Sequence, residues 1–302
     1  DGGRSGGQFS TTQNSVLRAT TESVEEFRIT TSNANANQGR SSGAQISLVT
    51  KSGTNEFKGS AFYFYRPTAF SANDFFNNLS GVERPSLSRD VFGGSVGGPI
   101  VKDKLFFFYN YEGQREQSAV SVVRTVPLAH LGRGELRFNG TLPTDPVGTP
   151  DRVLTLTTAQ LNAIYPDVGI NPAAVAALRD AATRYASNDT SVGDGLNTGG
   201  FRFNAPTAIE ENTHILKLDY NLTSNQSLFV RGNYQSDIRQ GTSQFPDTPS
   251  TSLWDHPIGF VVGHNWTIGN NKVNNFRYGL TRQAFSNQGD SSANSINFRF
   301  VF

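Results

Sequence analysis

The residues of this chain that come closest to a catalytic motif are Gly93, Ser95 and Gly97, which fit the pattern G-x-S-x-G. In hydrolases with this pattern, the nucleophilic serine lies on a sharp turn between a strand and a helix. Here Gly98 and Pro99 follow at once, and no helix can begin from them as the motif demands. We therefore expect no catalysis at Ser95, and we interpret the stretch as a thin glycine-rich strand with Pro99 in the next turn.

Metal and cofactor chemistry have little support in the sequence. The chain has no cysteine, which removes disulfides, thiolate metal sites and cysteine nucleophiles. The four histidines are His130, His214, His256 and His264. They show no i,i+4 pair and no carboxylate at the spacing of zinc proteases, and no calcium-binding loop pattern occurs. We expect no catalytic, cofactor-binding or metal-binding residues, no cofactor and hence no enzyme.

The charge balance gives no reason to expect a nucleic-acid partner. The chain has 302 residues with 26 Lys and Arg against 25 Asp and Glu, and it contains no basic run. No stretch of about 18 or more apolar residues exists, so a membrane-spanning helix is excluded. A membrane barrel is not excluded, because its strands alternate lipid-facing and lumen-facing residues and so have low hydropathy.

Period-two alternation between turn signals predicts eight strands. The predicted strands are 56–66, 88–98, 104–114, 213–220, 227–236, 258–268, 273–285 and 295–302, and we expect them to pair as sequential neighbours in one antiparallel sheet. Ile215 and Phe229 depart from the alternation, and in the first three strands aromatic residues fall on both faces. In the later strands we expect Leu218, Val230, Phe260 and Tyr278 to face lipid and Lys217, Arg231, Asn265 and Arg277 to face the lumen.

Short and long connections between these strands alternate without exception. Residues 99–103, 221–225 and 269–272 are predicted tight turns, whereas 67–87, 116–212, 237–256 and 286–293 are longer. Membrane barrels have short periplasmic turns and long extracellular loops. A soluble sandwich has no reason to sort its loops in this way, so the alternation favours a membrane barrel.

The longest connection, 116–212, contains a predicted helix. Asn171 can cap it, Pro172 suits its first position, and apolar residues recur at helical spacing after it. Those residues are Val175, Leu178, Ala182 and Tyr185. In a barrel this connection would form an extracellular cap or vestibule, and the alternative is a separate small domain.

Residues 23–60, SVEEFRITTSNANANQGRSSGAQISLVTKSGTNEFKGS, resemble the end of the plug of TonB-dependent receptors. The resemblance is to the Oar-like type, which often carries a carboxypeptidase-regulatory-like domain upstream. Residues 92–115, FGGSVGGPIVKDKLFFFYNYEGQR, are similar to the second and third barrel strands of that family. Small departures occur at Ala44, Ser47 and Lys58, where the family usually has Gly, Asn and His. The resemblance covers nearly all of the chain outside residues 128–205.

The resemblance implies an all-β protein of the cell outer membrane of a Gram-negative-type bacterium. Residues 1–55 would be the C-terminal part of a plug domain, and residues 56–302 the N-terminal part of an antiparallel transmembrane β-barrel with the extracellular loop 116–212. The implied function is energised uptake of an unknown large or scarce substrate. The implied partners are outer-membrane lipid, an extracellular ligand and a TonB-type energy-coupling protein that acts through a more N-terminal part. Two alternatives stay open, a barrel of the same family that acts in secretion or adhesion and a soluble all-β binding module.

The composition of the first 55 residues suits a plug, because polar side chains can hydrogen-bond inside a polar lumen. Gly39, Gly43, Gly53 and Gly59 would permit turns or close backbone approach. Phe27 with Ile29, and later Ile46 with Leu48, alternate as in short strands. The alternative is a flexible polar leader.

Aromatic clusters at 62–65 and 106–111 are typical of membrane-interface girdles. The chain ends on an alternating aromatic stretch, 296–302, which resembles the assembly signal of finished outer-membrane barrels. We nevertheless expect a truncated barrel, because eight strands leave no room for a plug. The first and last strands would then be open edges that do not pair with each other.

Overall fold

The computed structural model describes residues 17–30, 45–141, 145–166 and 169–289, except for the side chains of residues 45 and 46. The strands are β1 (Val24–Thr30), β2 (Gln45–Thr50), β3 (Lys58–Pro67), β4 (Leu87–Val101), β5 (Leu105–Pro127), β6 (Leu136–Gly140), β7 (Arg152–Leu156), β8 (Thr198–Thr223), β9 (Gln226–Gln240), β10 (Thr251–Asp255), β11 (Ile258–Ile268), β12 (Lys272–Arg282) and β13 (Phe285–Gly289). The helices are α1 (Phe75–Leu79), α2 (Thr158–Ile164) and α3 (Pro172–Arg184). No helix in this part of the chain is long and apolar enough to cross a membrane.

One antiparallel sheet dominates the fold, with the strand order β12-β11-β9-β8-β5-β4-β3. Every pairing is antiparallel and joins strands that follow each other in this path, as the sequence predicts. Within the described residues, β3 and β12 are edges that do not pair with each other. The predicted strand 295–302 lies outside the described residues.

Two long strands of the sheet are each interrupted once. β10 and β11 both pair with β9, and the break between them falls at Pro257. Proline has no N–H to donate to a ladder, although the Pro257 carbonyl still accepts from the Gln235 amide at 3.0 Å. β12 and β13 form the next run, and β13 pairs with β10. The sheet therefore consists of seven long antiparallel runs.

The predicted connection 116–212 is wrong at both ends. β5 and β8 pair continuously from Leu105↔Tyr220 to Pro127↔Thr198, so only residues 128–197, which we call the cap, connect them. The alternation is weak at 116–118 because polar residues occupy both faces there, and this hid the strand from sequence analysis. The predicted connections 237–256 and 286–293 are also too long. β9 extends to Gln240, and β10 and β13 occupy parts of the two connections. Pro99 lies within β4 opposite Phe106, not in the turn.

The predicted helix in the cap is confirmed as α3. The Asn171 side chain accepts a hydrogen bond from the Ala173 amide at 2.9 Å, and Pro172 occupies the first turn. α3 packs on the short 3-10 turn Leu131–Arg133, where Arg179 Nε donates to the Gly132 carbonyl at 3.2 Å. The cap is thus built directly on the end of the β5–β8 hairpin.

Two neighbouring connections contact the hairpin and the cap from opposite sides. On one side, the buried Asn77 of α1 accepts from Ser121 Oγ at 2.5 Å. On the other side, the Tyr185 ring stacks on Phe245 with centroids 4.2 Å apart, and Arg184 pairs with Asp247 at 2.9 Å. The three long connections therefore form one assembled structure at this end of the sheet.

Asp189 is the best-connected buried carboxylate of the cap. It accepts from Arg202 Nε at 2.6 Å, from Ser80 Oγ at 3.1 Å and from Ser191. Burial by itself would raise the pKa of Asp189, but the hydrogen bonds from Ser191, Arg202 and Ser80 outweigh it and lower that pKa to about 2. The charged form of Asp189 therefore holds the cap to β8 and to the connection that follows β3.

We expect the cap to loosen in acid. Because the folded pKa lies below the unfolded value of about 3.9, the Asp189 contacts stabilise the cap fully above about pH 4 and lose that effect as the pH falls towards 2. Hydrogen-exchange protection factors for residues 189–202 should decline over that window. In Asp189→Asn the protection should already be low at pH 6 and should change less on acidification. Asp151→Asn, at an exposed position of the cap, is the matched control, and an equal effect of both variants would contradict this prediction.

Candidate functional site on the inner face of the sheet

The N-terminal segment, which we define as residues 17–30 and 45–55, lies against one face of the main sheet. We call this the inner face. Its side chains come from the odd-numbered residues of β8 and β9 and the even-numbered residues of β5, as period-two geometry requires. The wall side chains that bond the segment include Asn110, Thr213, Lys217, Arg231, Asn233 and Gln235. All of them are polar.

The Lys217 and Arg231 side chains therefore point to the face that the sequence predicts, and Arg277 lines a cavity with them. The two exceptions to the alternation, Ile215 and Phe229, also lie on the inner face. Ile215 lines a cavity beside Arg18 and is 3% exposed. An apolar side chain on this face is buried by the N-terminal segment, so it needs no lipid to cover it.

Arg18 makes the densest contact between the segment and the wall. Its guanidinium donates to Asp237 Oδ2 at 2.5 Å and to Thr213 Oγ1 at 3.1 Å, and it lies 3.2 Å from Glu211 Oε2. Arg239 pairs with the same Glu211 at 2.6 Å. The Asp237 side chain is only 5% exposed, and a buried carboxylate is costly unless it is paired. Arg18 is therefore the counter-charge that this part of the wall needs.

Further along the segment, the contacts are hydrogen bonds of short side chains. Thr20 Oγ1 donates to Asn110 Oδ1 at 2.5 Å, and both residues are buried. Glu22 accepts from Ser60 Oγ at 2.7 Å, and Ser60 is in turn 2.9 Å from Ser95 Oγ. Ser95 lies in the middle of β4 with no helix after it, which confirms that the G-x-S-x-G stretch is a strand.

The end of β2 forms a second contact with the wall. Lys217 Nζ donates to Ser52 Oγ at 2.6 Å and to the Thr50 carbonyl at 3.3 Å. Arg231 Nη1 donates to Thr50 Oγ1 at 2.8 Å. β1 and β2 pair antiparallel with Phe27 opposite Leu48, which confirms the short strands predicted there. Gly39 and Gly43 lie outside the described residues.

Two glycines bring the segment backbone directly onto the wall. The Gly53 Cα lies 3.4 Å from the position that a Cβ on Gly97 would take, and a Cβ on Gly53 would lie 2.3 Å from the Phe107 carbonyl oxygen. The 2.3 Å approach at Gly53 would be a clash with backbone, which cannot move aside as a side chain can. The expected close approach at Gly53 is confirmed, and the thin strand that contains Gly97 is what makes room for it.

We expect Gly53→Ala to displace the segment from the wall. Overpacking of this kind costs about 1–3 kcal/mol, so proteolysis within 45–55 should become faster while the sheet stays intact. Gly232→Ala is the matched control, because a Cβ on Gly232 meets nothing within 4 Å. Equal cleavage rates in the two variants would show that Gly53 is not a contact point.

The opposite face, which we call the outer face, is apolar and exposed along the lower part of the sheet. Its exposed side chains include Val96, Leu216, Tyr220, Val230, Tyr234, Ile258, Phe260, Trp266, Tyr278 and Leu280. Register places Tyr111, His214 and Tyr234 in one row, and the next row towards the cap is Gly113, Asn212 and Ser236. Across β5, β8 and β9 the apolar surface therefore ends at a row of aromatic rings, as at a membrane interface.

A sheet with a polar inner face, an apolar outer face and short turns at one end is the geometry of an outer-membrane barrel wall. A family profile described as "Outer membrane beta barrel domain" matches residues 49–300 of the chain. The chain belongs to this family. It is therefore an outer-membrane protein with an all-β barrel domain, and the soluble binding module is excluded.

A curated relative supports the same assignment for part of this barrel protein. The TonB-dependent transporter Oar of Myxococcus xanthus is 37% identical over 95 residues, which cover 30% of this chain and 9% of that protein. The matched region is thus a small part of the relative's length. No solved structure matches this barrel protein.

Sequence analysis missed the charged cluster at Arg18. Arg18 lies before the stretch that carries the resemblance, and Glu211 and Asp237 fell in predicted loops. A usable signal existed, because both acids continue the odd-numbered inner face of β8 and β9 beyond the predicted strand ends. Among the described residues, no group of three or more His, Asp and Glu side chains is placed to hold a metal ion.

Proposed function

We propose that this chain is part of an outer-membrane transporter in which residues 1–55 belong to a plug and residues 56–302 to the barrel around it. Uptake is energised from the periplasm by a TonB-type protein that acts on the plug. The observation that carries the proposal is the N-terminal segment on the inner face, held by Arg18, Thr20 and Thr50 through polar contacts. The name of the Myxococcus xanthus relative, a TonB-dependent transporter, favours the same function.

In this proposal the short turns face the periplasm and the cap faces the outside. The turn at 102–104 and its two counterparts lie at one end of the sheet, and the cap with its neighbouring connections lies at the other. This assignment follows the loop asymmetry of membrane barrels. A solute from outside meets the cap first and the plug second.

Polar contacts suit a plug that must move. When a hydrogen bond between the plug and the wall breaks in a wet lumen, both groups bond to water instead. Breaking each bond therefore costs only about 0.5–1.5 kcal/mol. An apolar interface of the same size would resist displacement throughout, because all of its area would have to be hydrated. Pulling on the segment therefore releases it in small steps, and the wall stays folded because its backbone ladder is independent of the segment.

The proposal is tested without knowing the solute by placing single cysteines in the full-length protein in living cells. This chain has no native cysteine, and Thr20 is 2% exposed where the segment contacts the wall. We expect Thr20→Cys to react with a membrane-impermeant maleimide in energised cells and to be protected when the proton-motive force is collapsed or the coupling protein is deleted. Val147→Cys, fully exposed in the cap, should react under all conditions.

Labelling of Thr20→Cys that does not depend on energy would overturn the proposal. An adhesin would give that result, because its plug has no reason to move. Asn110→Cys, on the wall beneath Thr20, provides an independent check, since it should become reactive together with Thr20→Cys only if the segment leaves the wall.

A further inference from the structure

A cavity of about 360 Å³ lies between the end of β2 and the inner faces of β8, β9, β11 and β12. Thr50, Lys217, Phe229, Arg231 and Arg277 are among the residues that line it. Three of these five are cationic. The Arg18 cluster is separate from this cavity, because Arg18 bonds wall residues nearer the cap.

Lys217 and Arg231 stand directly opposite each other in register on β8 and β9. Like charges in this position are destabilising, and here the repulsion is screened poorly because the Lys217 side chain is only 13% exposed. Arg277 lies in the neighbouring row of the sheet, because Phe229 pairs with Gly263 and Gly263 pairs with Arg277. The sheet thus concentrates positive charge where a neutral pair would be more stable.

The negative charge near these cations is too small to balance them. Asp219 lies 3.5 Å from Lys217 Nζ. Within the part of the chain that the structure describes, no carboxylate lies within 4.0 Å of the guanidinium of Arg231 or Arg277. Residues 31–44, which join β1 to β2, contain no Asp or Glu. Among the described residues, one carboxylate, Asp219, therefore lies beside the three cations.

Arg231, which lines the cavity, keeps hydrogen-bonding capacity beyond its contact with the segment. Arg231 uses one N–H on Thr50 Oγ1, while a guanidinium has five. Planar guanidinium groups bind carboxylates and phosphates through two parallel hydrogen bonds, and an ammonium group adds a point charge. Phe229 supplies an apolar wall beside them, with Lys217 Nζ 5.9 Å from its ring centroid. An oxyanion attached to an organic body matches this combination.

We propose that this cavity is a binding site for an oxyanion, a carboxylate or phosphate group of the transported solute, which Arg231 binds through its free N–H groups, Lys217 attracts as a point charge and Arg277 attracts from the rim. The site lies close to the predicted periplasmic end of the wall, and the N-terminal segment in its place on the wall forms one side of it. The inference rests on the proposed transport function for its purpose, but the binding itself needs no energy source.

The test measures thermal unfolding of the purified full-length protein in detergent with increasing inorganic phosphate, and separately with citrate as a carboxylate probe. Sodium chloride at equal ionic strength controls for general screening of charge. We expect phosphate or citrate to raise the unfolding temperature of the wild type in a saturable way. In Lys217→Gln and in Arg231→Gln the apparent affinity should fall at least about tenfold, as the loss of one cationic partner of the anion predicts.

Arg239→Gln is the matched control, because Arg239 is already neutralised by Glu211, and it should respond to the anions as the wild type does. Both cavity variants should fold, since each removes a like-charge repulsion. Unchanged anion affinity in both variants, or equal stabilisation by chloride, would overturn the inference. Energy-independent labelling of Thr20→Cys with intact anion binding would count against the proposed transport function alone.

Discussion

Arg18→Met is expected to release the N-terminal segment from the wall while the sheet stays folded. The change removes the closest counter-charge of Asp237, whose side chain is only 5% exposed. Removing one partner of a fully buried pair costs about 3–5 kcal/mol. The Arg18 side chain is 29% exposed, so we expect about 1.5–3 kcal/mol, the range of charged hydrogen bonds.

That loss corresponds to an opening equilibrium about 10- to 150-fold larger for residues 17–23. Hydrogen exchange at these residues measures it directly. Arg28→Met is the matched control in the same segment, because Arg28 pairs with Glu26 while both side chains are more than half exposed, and such pairs contribute little. Adding Asp237→Asn to Arg18→Met should restore part of the protection. Equal exchange in the Arg18 and Arg28 variants would show that Arg18 does not hold the segment.

Phe260→Arg is expected to cost about 2–4 kcal/mol of folding stability in the membrane, because it places a cation on the lipid-facing side near the middle of the bilayer. Phe260 lies on the outer face, 39% exposed. Its row lies between the aromatic row of Tyr234 and the row that contains Tyr220 near the short turns. Val230→Arg, in the adjacent row, should have a similar effect.

Asn265→Arg is the matched control, since Asn265 is on the same strand as Phe260 and faces the inner side with Ser227. Folding into lipid vesicles under a urea gradient measures all three variants. We expect the Asn265 variant to stay within about 1 kcal/mol of the wild type, because a lumen-facing cation stays hydrated. Equal penalties on the two faces would show that the sheet is not exposed to lipid on one side only.

The alternation of apolar and polar residues along the strands predicted most of the main sheet. It located seven runs of the sheet, because a strand with lipid on one side and water on the other must repeat every two residues. It failed in the upper half of β5 and β8, where water lies on both sides and polar residues such as Gln117 and Glu210 are exposed on the outer face. There the strand is held by backbone hydrogen bonds, and the alternation of apolar and polar side chains is too weak to predict it.

The candidate site was harder to foresee for a different reason. Arg18, Glu211 and Asp237 come from three distant parts of the chain, and nothing in their local sequence indicates that they meet. Lys217 and Arg231 were placed on the correct face, but their opposite positions depend on the register of β8 with β9. Register is set by turn geometry and bulges, such as the irregularity between Asn221 and Thr223, and a one-residue error would have separated them.

The length of the β5–β8 hairpin has a mechanical consequence. Past the aromatic row at Tyr111, β5 continues to Pro127, which is about 50 Å along the strand at 3.3 Å per residue. β4 ends opposite Ser118, so the far part is a narrow ribbon that acts as a lever arm. From Ser118 to Pro127 this ribbon is about 30 Å long at 3.3 Å per residue, so a tilt of 5° at its base would move the cap by about 3 Å. Contacts with the neighbouring loops, such as that of Asn77 on one side and that of Asp247 on the other, limit this movement. The stiffness of the outermost part is therefore set largely by contacts with the two neighbouring loops.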